Sequence, residues 1–294
     1  MSGPYAVDAA FARRAFGRAS ASYDAAAVLQ GEVRGLLLER LDLTRLEPRV
    51  ILDAGAGTGA GSQALKRRYP KARVLALDSA RGMVRAAAAR GSWFRPLSVV
   101  CADAARLPLP DASVDLLFSN FMLPWIDIEQ VFTEFRRVLA PRGVLTFATP
   151  GPDTLHELRE AWATVDPSPR VHAFPDMHDL GDALVRAGFA EPVLDVERYT
   201  LEYTEVAGLT GDLKAMGEIN ALAGRSRGLT GPRKFEAMRA AYEARRRDGR
   251  LPATYEVVFG QAWSPRESAG RSGESNTVSL EEVRRQLASR RGRR

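Results

Sequence analysis

Seven consecutive residues carry the most chemistry in this sequence: Asp53-Ala54-Gly55-Ala56-Gly57-Thr58-Gly59. They follow the apolar run Val50-Ile51-Leu52 and precede a stretch that reads as a helix. Glycine lets the backbone turn sharply and approach a ligand closely, because no Cβ stands in the way. A turn of this kind at the carboxyl end of a strand is where open α/β sheets hold their ligands. Alone, such a loop serves NAD, FAD or a mononucleotide. The order here is D-x-G-x-G-x-G, with the acid at the strand's end, whereas the dinucleotide fingerprint is G-x-G-x-x-G. Gly55, Gly57 and Gly59 do not fit that spacing, although Gly61 leaves a partial match from Gly55. The absence of G-x-x-x-x-G-K-[ST] argues against a nucleotide triphosphatase.

Three further strand ends bear polar residues. Asp78 closes Val74-Leu75-Ala76-Leu77, where a carboxylate can accept both hydroxyls of a ribose. Asp103, with Ala104 beside it, follows the strand expected over 97–101 and suits an acceptor for an adenine amino group. Asn120 ends the strand expected over 114–120 and faces the same crevice. A single acid at such a place is equally well a strand-end cap; four ordered strand ends point to one ligand. The expected cofactor-binding set is Asp53, Gly55, Gly57, Gly59, Asp78, Met83, Asp103, Ala104 and Asn120.

The elements that position these residues alternate. Helical spacing runs over 6–43, strands over 49–53, 74–78, 97–101, 114–120 and 143–149, and helices to about 69, over 80–90 and over 127–139. This alternation implies an α/β, Rossmann-like fold with a doubly wound, mostly parallel sheet. Beyond Pro150 the pattern loosens. Helices are expected over 153–164 and 177–187, strands over 192–203 and 254–263, and two or more helices within 205–248. The expected organisation is an N-terminal helical lid over 1–45, a core over 46–204, a helical cap inserted over 205–250, the last core strand over 251–264 and a disordered basic tail over 265–294.

Composition bounds the function. The chain has 294 residues, 45% hydrophobic and 27% charged, as in an ordinary soluble protein. No apolar run approaches the ~18 residues that span a bilayer, and no continuous signal core follows the first residues, so a cytoplasmic location is expected. One cysteine, Cys101, excludes an internal disulfide, and histidines scattered at 156, 172 and 178 make a zinc site improbable. The net charge of +6 is concentrated in two places. Residues 265–294 hold eight arginines against four glutamates, and residues 205–250 hold ten basic against six acidic side chains. The second segment lies inside the folded region and could meet an acidic macromolecule.

The strand-end pattern over 49–149 resembles class I methyltransferases. That resemblance implies S-adenosyl-L-methionine as cofactor, with the glycine loop holding its methionine part, Asp78 its ribose and Asp103 its adenine. The flanks resemble the malonyl-[acyl-carrier protein] O-methyltransferase family of biotin synthesis. They do so through Phe16-Gly17-Arg18-Ala19-Ser20-Ala21-Ser22-Tyr23-Asp24, Asn120-Phe121-Met122-Leu123-Pro124-Trp125, His172-Ala173-Phe174-Pro175-Asp176-Met177-His178 and Leu251-Pro252-Ala253-Thr254-Tyr255. The likeness covers essentially 11–263. One departure is Pro124, where many relatives carry Gln, which weakens any role for a side-chain amide there. A methyltransferase-fold arginine hydroxylase that assists respiratory complex I assembly is the alternative. It shares the glycine loop, the Leu-Gly-Asp region, the Pro-Ala-Thr-Tyr segment and a Ser/Arg tail, but lacks the Phe-Gly-Arg-Ala…Tyr-Asp motif. A third reading is a non-catalytic protein that keeps the pocket.

The family resemblance implies methylation of the free carboxylate of a malonyl thioester on acyl-carrier protein. Tyr23 is then expected to be a catalytic residue in a lid over the cofactor, or else a core aromatic. Arg225 and Arg227, in the break between cap helices, are expected to bind the substrate carboxylate, or else to be solvated or to dock the carrier. His172, Asp176 and His178 are expected to be structural, with Asp176 capping the helix that begins at Met177. A monomer without a nucleic-acid or membrane partner is expected.

Overall fold

The computed structural model describes residues 6–266 except 92–95, 227 and 229. Seven strands form one sheet: β1 (Val50–Ala54), β2 (Arg73–Asp78), β3 (Ser98–Cys101), β4 (Val114–Asn120), β5 (Leu139–Pro150), β6 (Ala190–Tyr203) and β7 (Leu251–Trp263), in the spatial order β3-β2-β1-β4-β5-β7-β6. The first five run parallel, and β7 runs antiparallel to both neighbours. This is the doubly wound α/β sheet that the alternation implied, closed by a reversed strand. The order reverses between β1 and β4, and the glycine loop leaves β1 at that switch point.

Parallel strands covered on both faces read as continuous apolar runs. Ile51, Leu52, Leu116, Leu117 and Phe118 are fully buried and divide between two cores, one on each face of the sheet. The helices α4 (Ala60–Arg68), α5 (Arg81–Arg90), α6 (Ile128–Val138), α7 (His156–Ala163) and α8 (Met177–Arg186) connect the strands of this sheet. Asp176 caps α8, accepting the Asp179 amide at 2.8 Å, in the capping role expected of it. Between β6 and β7 the chain forms α9 (Val206–Met216) and α10 (Pro232–Glu243).

The helical stretch expected over 6–43 is divided. It forms α1 (Ala9–Ala19), α2 (Tyr23–Ala26) and α3 (Val28–Arg40). The physical reason lies in the serines. Ser20 Oγ bonds the Gly17 carbonyl at 3.1 Å and Ser22 Oγ the Ala19 carbonyl at 3.2 Å, so side chains compete for the backbone groups that would continue the helix. Tyr23 therefore begins a separate turn instead of lying within a continuous helix. Within 265–294, the residues from 267 onward, on which the expectation of a disordered tail rests, lie outside the described ones.

Candidate active site

The glycine loop is fixed from one side and open on the other. The Gly55 and Ala56 amides both donate to the Leu77 carbonyl at 2.9 Å, which pins the loop to β2. Gly55 has φ +73°, and a Cβ there would stand 2.4 Å from Met122 Cβ. Gly57 has φ +55°, yet a Cβ there would meet nothing within 4 Å. Protein packing thus excludes a side chain at Gly55, whereas Gly57 faces empty space in the cleft.

Around the loop stand the polar strand ends. Asp78 accepts the Gly57 amide at 3.0 Å and the Ala80 amide at 2.8 Å. Burial pushes its pKa up, and these two amides counteract the shift. Asp53 is buried and accepts the Ser62 hydroxyl at 2.6 Å; burial pushes its pKa up to about 6. Asp103 is exposed and accepts the Ala105 amide at 3.0 Å, while Ala104 beside it is buried. Asn120 donates from Nδ2 to the Gln30 carbonyl at 3.0 Å. Its Oδ1 is buried and has no partner among the described residues.

These groups line two adjoining cavities. One, of about 380 Å³, is bounded by Asp78, Met83, Asp103 and Ala104. The other, of about 220 Å³, is bounded by Asp53 and Arg34. Tyr23, Gly55, Gly57 and Asn120 are walls of both. Gly59 lines neither. With φ +85° and Ala87 Cβ 2.9 Å from where its own Cβ would be, it seats α4 against α5. This packing gives glycine at position 59 a reason independent of any ligand.

A third chamber, of about 70 Å³, opens beyond Phe121, Pro124 and Trp125, which also line the 380 Å³ cavity. Phe121 holds φ +59°, a strained conformation for a residue with a side chain, at the mouth between the two. His172 lies inside the chamber with its ring 4.7 Å from Trp125, and its Nε2 accepts the Ala221 amide at 3.3 Å. Burial pushes its pKa down to about 4, so the imidazole is neutral at neutral pH. Glu218 also lines this chamber and accepts Gln30 Nε2 at 3.0 Å; burial pushes its pKa up to about 7.

The segment before β1 lines the first two cavities and is fastened at several points. Thr58 Oγ1 donates to Asp24 at 2.6 Å, and Arg90 pairs with Asp24 while donating to the Thr58 carbonyl at 2.9 Å. Ser22 Oγ reaches the Ala215 carbonyl of α9 at 2.7 Å. The Asp8 amide donates to Ala221, and the Ala223 amide to Ala6, both at 2.7 Å. Tyr23 is half-buried here; desolvation pushes its hydroxyl pKa up, with Glu218 and Asp78 adding to the effect.

The sequence left Arg225 to the substrate carboxylate, to solvent or to docking of the carrier; in the structure it faces the N-terminal segment. Its guanidinium pairs with Asp8 at 3.1 Å and lies 4.2 Å over the Phe11 ring. An opposite charge and an aromatic face hold it against the N-terminal segment, and it lines none of the three cavities. Arg227 lies outside the described residues. Gln30, Arg34, Glu218 and Arg170 were missed. Gln30 and Arg34 carry a readable signal, since their i, i+4 spacing puts both on one face of α3.

A doubly wound parallel sheet with a reversed last strand, and a glycine loop flanked by acids at successive strand ends, define a class I methyltransferase. The family described as "Methyltransferase domain" matches residues 52–147. Among solved structures, the YcgJ protein of Bacillus subtilis shares the fold, with a TM-score of 0.56 and 16% identity over 78% of this chain and 97% of that one. A malonyl-[acyl-carrier protein] O-methyltransferase of Methylovorus sp. (strain MP688) is 52% identical over 268 residues, covering 89% of this chain and 90% of that protein. One of the same name from Laribacter hongkongensis (strain HLHK9) is 50% identical over 90% of this chain and 92% of its own. The chain belongs to the malonyl-[acyl-carrier protein] O-methyltransferase family, the first of the two resemblances drawn from its flanks.

Proposed function

We propose that the protein transfers a methyl group from S-adenosyl-L-methionine to the free carboxylate of a malonyl thioester on acyl-carrier protein, an early step towards the pimeloyl chain of biotin. The observation that carries this reading is the near-full-length identity to the two relatives named for that activity.

The residues present fit the cofactor. Asn120 Oδ1 is a buried acceptor in need of a donor, and the cofactor's ammonium group is one. Asp53 supplies a carboxylate for the same group, and Arg34, which makes no ion pair among the described residues, supplies a cation for the cofactor's carboxylate. Asp78 receives the ribose hydroxyls, and Asp103, Ala104 and Met83 enclose the adenine. Gly55 and Gly57 give the backbone its close approach.

Bound there, S-adenosyl-L-methionine would supply an electrophilic methyl group for the acceptor carboxylate and leave as the neutral thioether. A malonyl carboxylate has a pKa of about 4 and is already ionised, so no side chain must act as base. The protein's tasks are alignment and exclusion of water. Tyr23 covers the junction of the two cofactor cavities. Trp125 and the neutral His172 present a dry wall to the acceptor, which favours a step in which opposite charges cancel.

In this reading residues 1–45 are the lid, 46–204 and 251–264 the core, and 205–250 the cap. The protein acts as a monomer in the cytoplasm. Among the described residues no helix is long and apolar enough to cross a membrane. The test is incubation with labelled cofactor and malonyl-carrier protein, followed by mass spectrometry for a base-labile methyl ester. Failure to find the ester with folded, cofactor-binding protein rejects the proposal.

A further inference from the structure

Arg170 separates the third chamber from a fourth cavity that the chemistry above does not use. This surface cleft, of about 300 Å³, is lined by Arg170, Ser226, Gly231, Pro232, Arg233 and Lys234. Arg170 is held in place, bonding Asp166 at 2.5 Å and Thr230 Oγ1 at 3.0 Å, with its guanidinium 4.7 Å over the Trp162 ring. Its buried Nε has no partner among the described residues.

The cleft is built for an anion. Three cations border it, and the anion paired with them, Asp166, is shared by Arg170 and Lys234, the latter at 3.2 Å. Those partners hold the Asp166 carboxyl well below the usual range, so it stays ionised and positive charge remains in excess. Helix α10 also opens onto the cleft at Pro232 without a side-chain cap, and a helix N-terminus adds partial positive charge. Arg233 is exposed, and the Lys234 side chain is half exposed, at 53%. Both can meet a ligand from solvent.

The order of the cavities gives this charge its meaning. Phe121, Pro124 and Trp125 line both the 380 Å³ cavity and the third chamber, and Arg170 stands as the shared wall between the third chamber and the cleft. An acceptor tethered to a carrier protein arrives on a flexible pantetheine arm joined to the carrier by a phosphodiester. We propose that the cleft binds that phosphodiester through Arg233 and Lys234, while the arm passes Arg170 into the third chamber and presents the acyl end beside the methyl donor. The inference rests on the carrier-borne acceptor of the preceding subsection. Fixing the phosphodiester at the anchored end of a flexible arm reduces the orientational freedom lost on reaching the reacting geometry.

The test compares malonyl-pantetheine with malonyl-4′-phosphopantetheine, neither attached to protein, and uses whole malonyl-carrier protein as a third acceptor. The expected KM of the wild type is about tenfold lower for the phosphorylated arm, in line with one charge-assisted contact pair. In the double variant Arg233→Ala/Lys234→Ala that ratio should fall to near one, and Lys234→Arg in the wild-type background should keep it. Should the double variant melt early, the single variant Lys234→Gln takes its place, with a partial fall in the ratio. Equal KM values in the wild type, or a ratio untouched by the variants, overturn the inference. A KM change seen only with whole carrier protein also overturns it and assigns the cleft to the carrier's acidic surface. If the wild type methylates none of the three acceptors, the carrier reading itself fails and takes this inference with it.

Discussion

Thr58, in the glycine loop, donates its hydroxyl proton to Asp24, the neighbour of Tyr23, at 2.6 Å. One hydrogen bond therefore joins the turn that faces the cofactor to the segment that covers it. Arg90, at the end of α5, reinforces the junction by bonding both partners. Asp24→Ala should loosen the cover without harming the core. The pair is partly exposed, and such pairs contribute roughly 0–1 kcal/mol, so the expected effect is an increase of about threefold in the Kd for S-adenosyl-L-methionine with little change in Tm. Calorimetric titration checks it, and an unchanged Kd would show that the latch does not hold the lid.

Gly55 and Gly57 should fail in different ways when substituted. At Gly55 a Cβ would meet Met122 at 2.4 Å, so Gly55→Ala should lower Tm and weaken the loop itself. At Gly57 the space is open, so Gly57→Val should fold with a strain cost of about 1–3 kcal/mol from its positive φ. It should nonetheless lose cofactor binding, because the side chain fills the cleft. Calorimetry beside a thermal melt separates the two variants. Normal affinity in folded Gly57→Val contradicts the cofactor assignment.

Asp53 gives the site a pH dependence. Its folded pKa, about 6, lies above the usual carboxylate value of 3.8, so the folded protein holds a proton that the unfolded chain has released. Stability without cofactor should therefore decline as pH rises between these two values, and Asp53→Asn should remove that slope. The cofactor's ammonium group favours the ionised form. Its affinity should accordingly rise as pH increases through about 6, by roughly tenfold per pH unit at the limit below it. Titrations in buffers of different ionisation enthalpy should detect the released proton, and a flat affinity profile in the wild type counts against Asp53 as a cofactor contact.

Tyr23 stands half-buried where both cofactor cavities meet, and its hydroxyl has no hydrogen-bond partner among the described residues. Tyr23→Phe keeps the ring and removes only that hydroxyl. If the hydroxyl orients the reacting groups, kcat should fall by about tenfold or more while cofactor Kd stays within twofold. Unchanged kcat leaves Tyr23 as a packing residue.

The residues most legible in the sequence were those whose roles are local. A strand followed at once by Asp53 and its glycines, or by Asp78, fixes its own geometry, because chain direction and strand end determine where the side chain emerges. The break in the N-terminal helix was present in the serines at 20 and 22, but competing hydroxyl bonds are weaker signals than apolar spacing. The third chamber was not legible, since it joins Phe121, His172, Glu218 and Tyr255 from four distant parts of the chain. Arg225 illustrates the same limit. Its basic neighbourhood suggested an anionic substrate, whereas the anion that satisfies it is Asp8, over two hundred residues earlier.

The reversed strand β7 also bears on how the chain reaches this state. It fills the gap between β5 and β6, pairing Leu145 with Ala262 and Val196 with Val258. Until residues 251–263 are synthesised and inserted, the inner edges of β5 and β6 have no ladder partner. Unpaired edges of buried strands are templates for intermolecular association. Sheet closure therefore waits on the last element of the core, across a large sequence separation, which slows folding and prolongs that exposure. Loss of pairing in β7, as by proline at Val258, should appear first as aggregation during refolding, before any effect on catalysis can be measured.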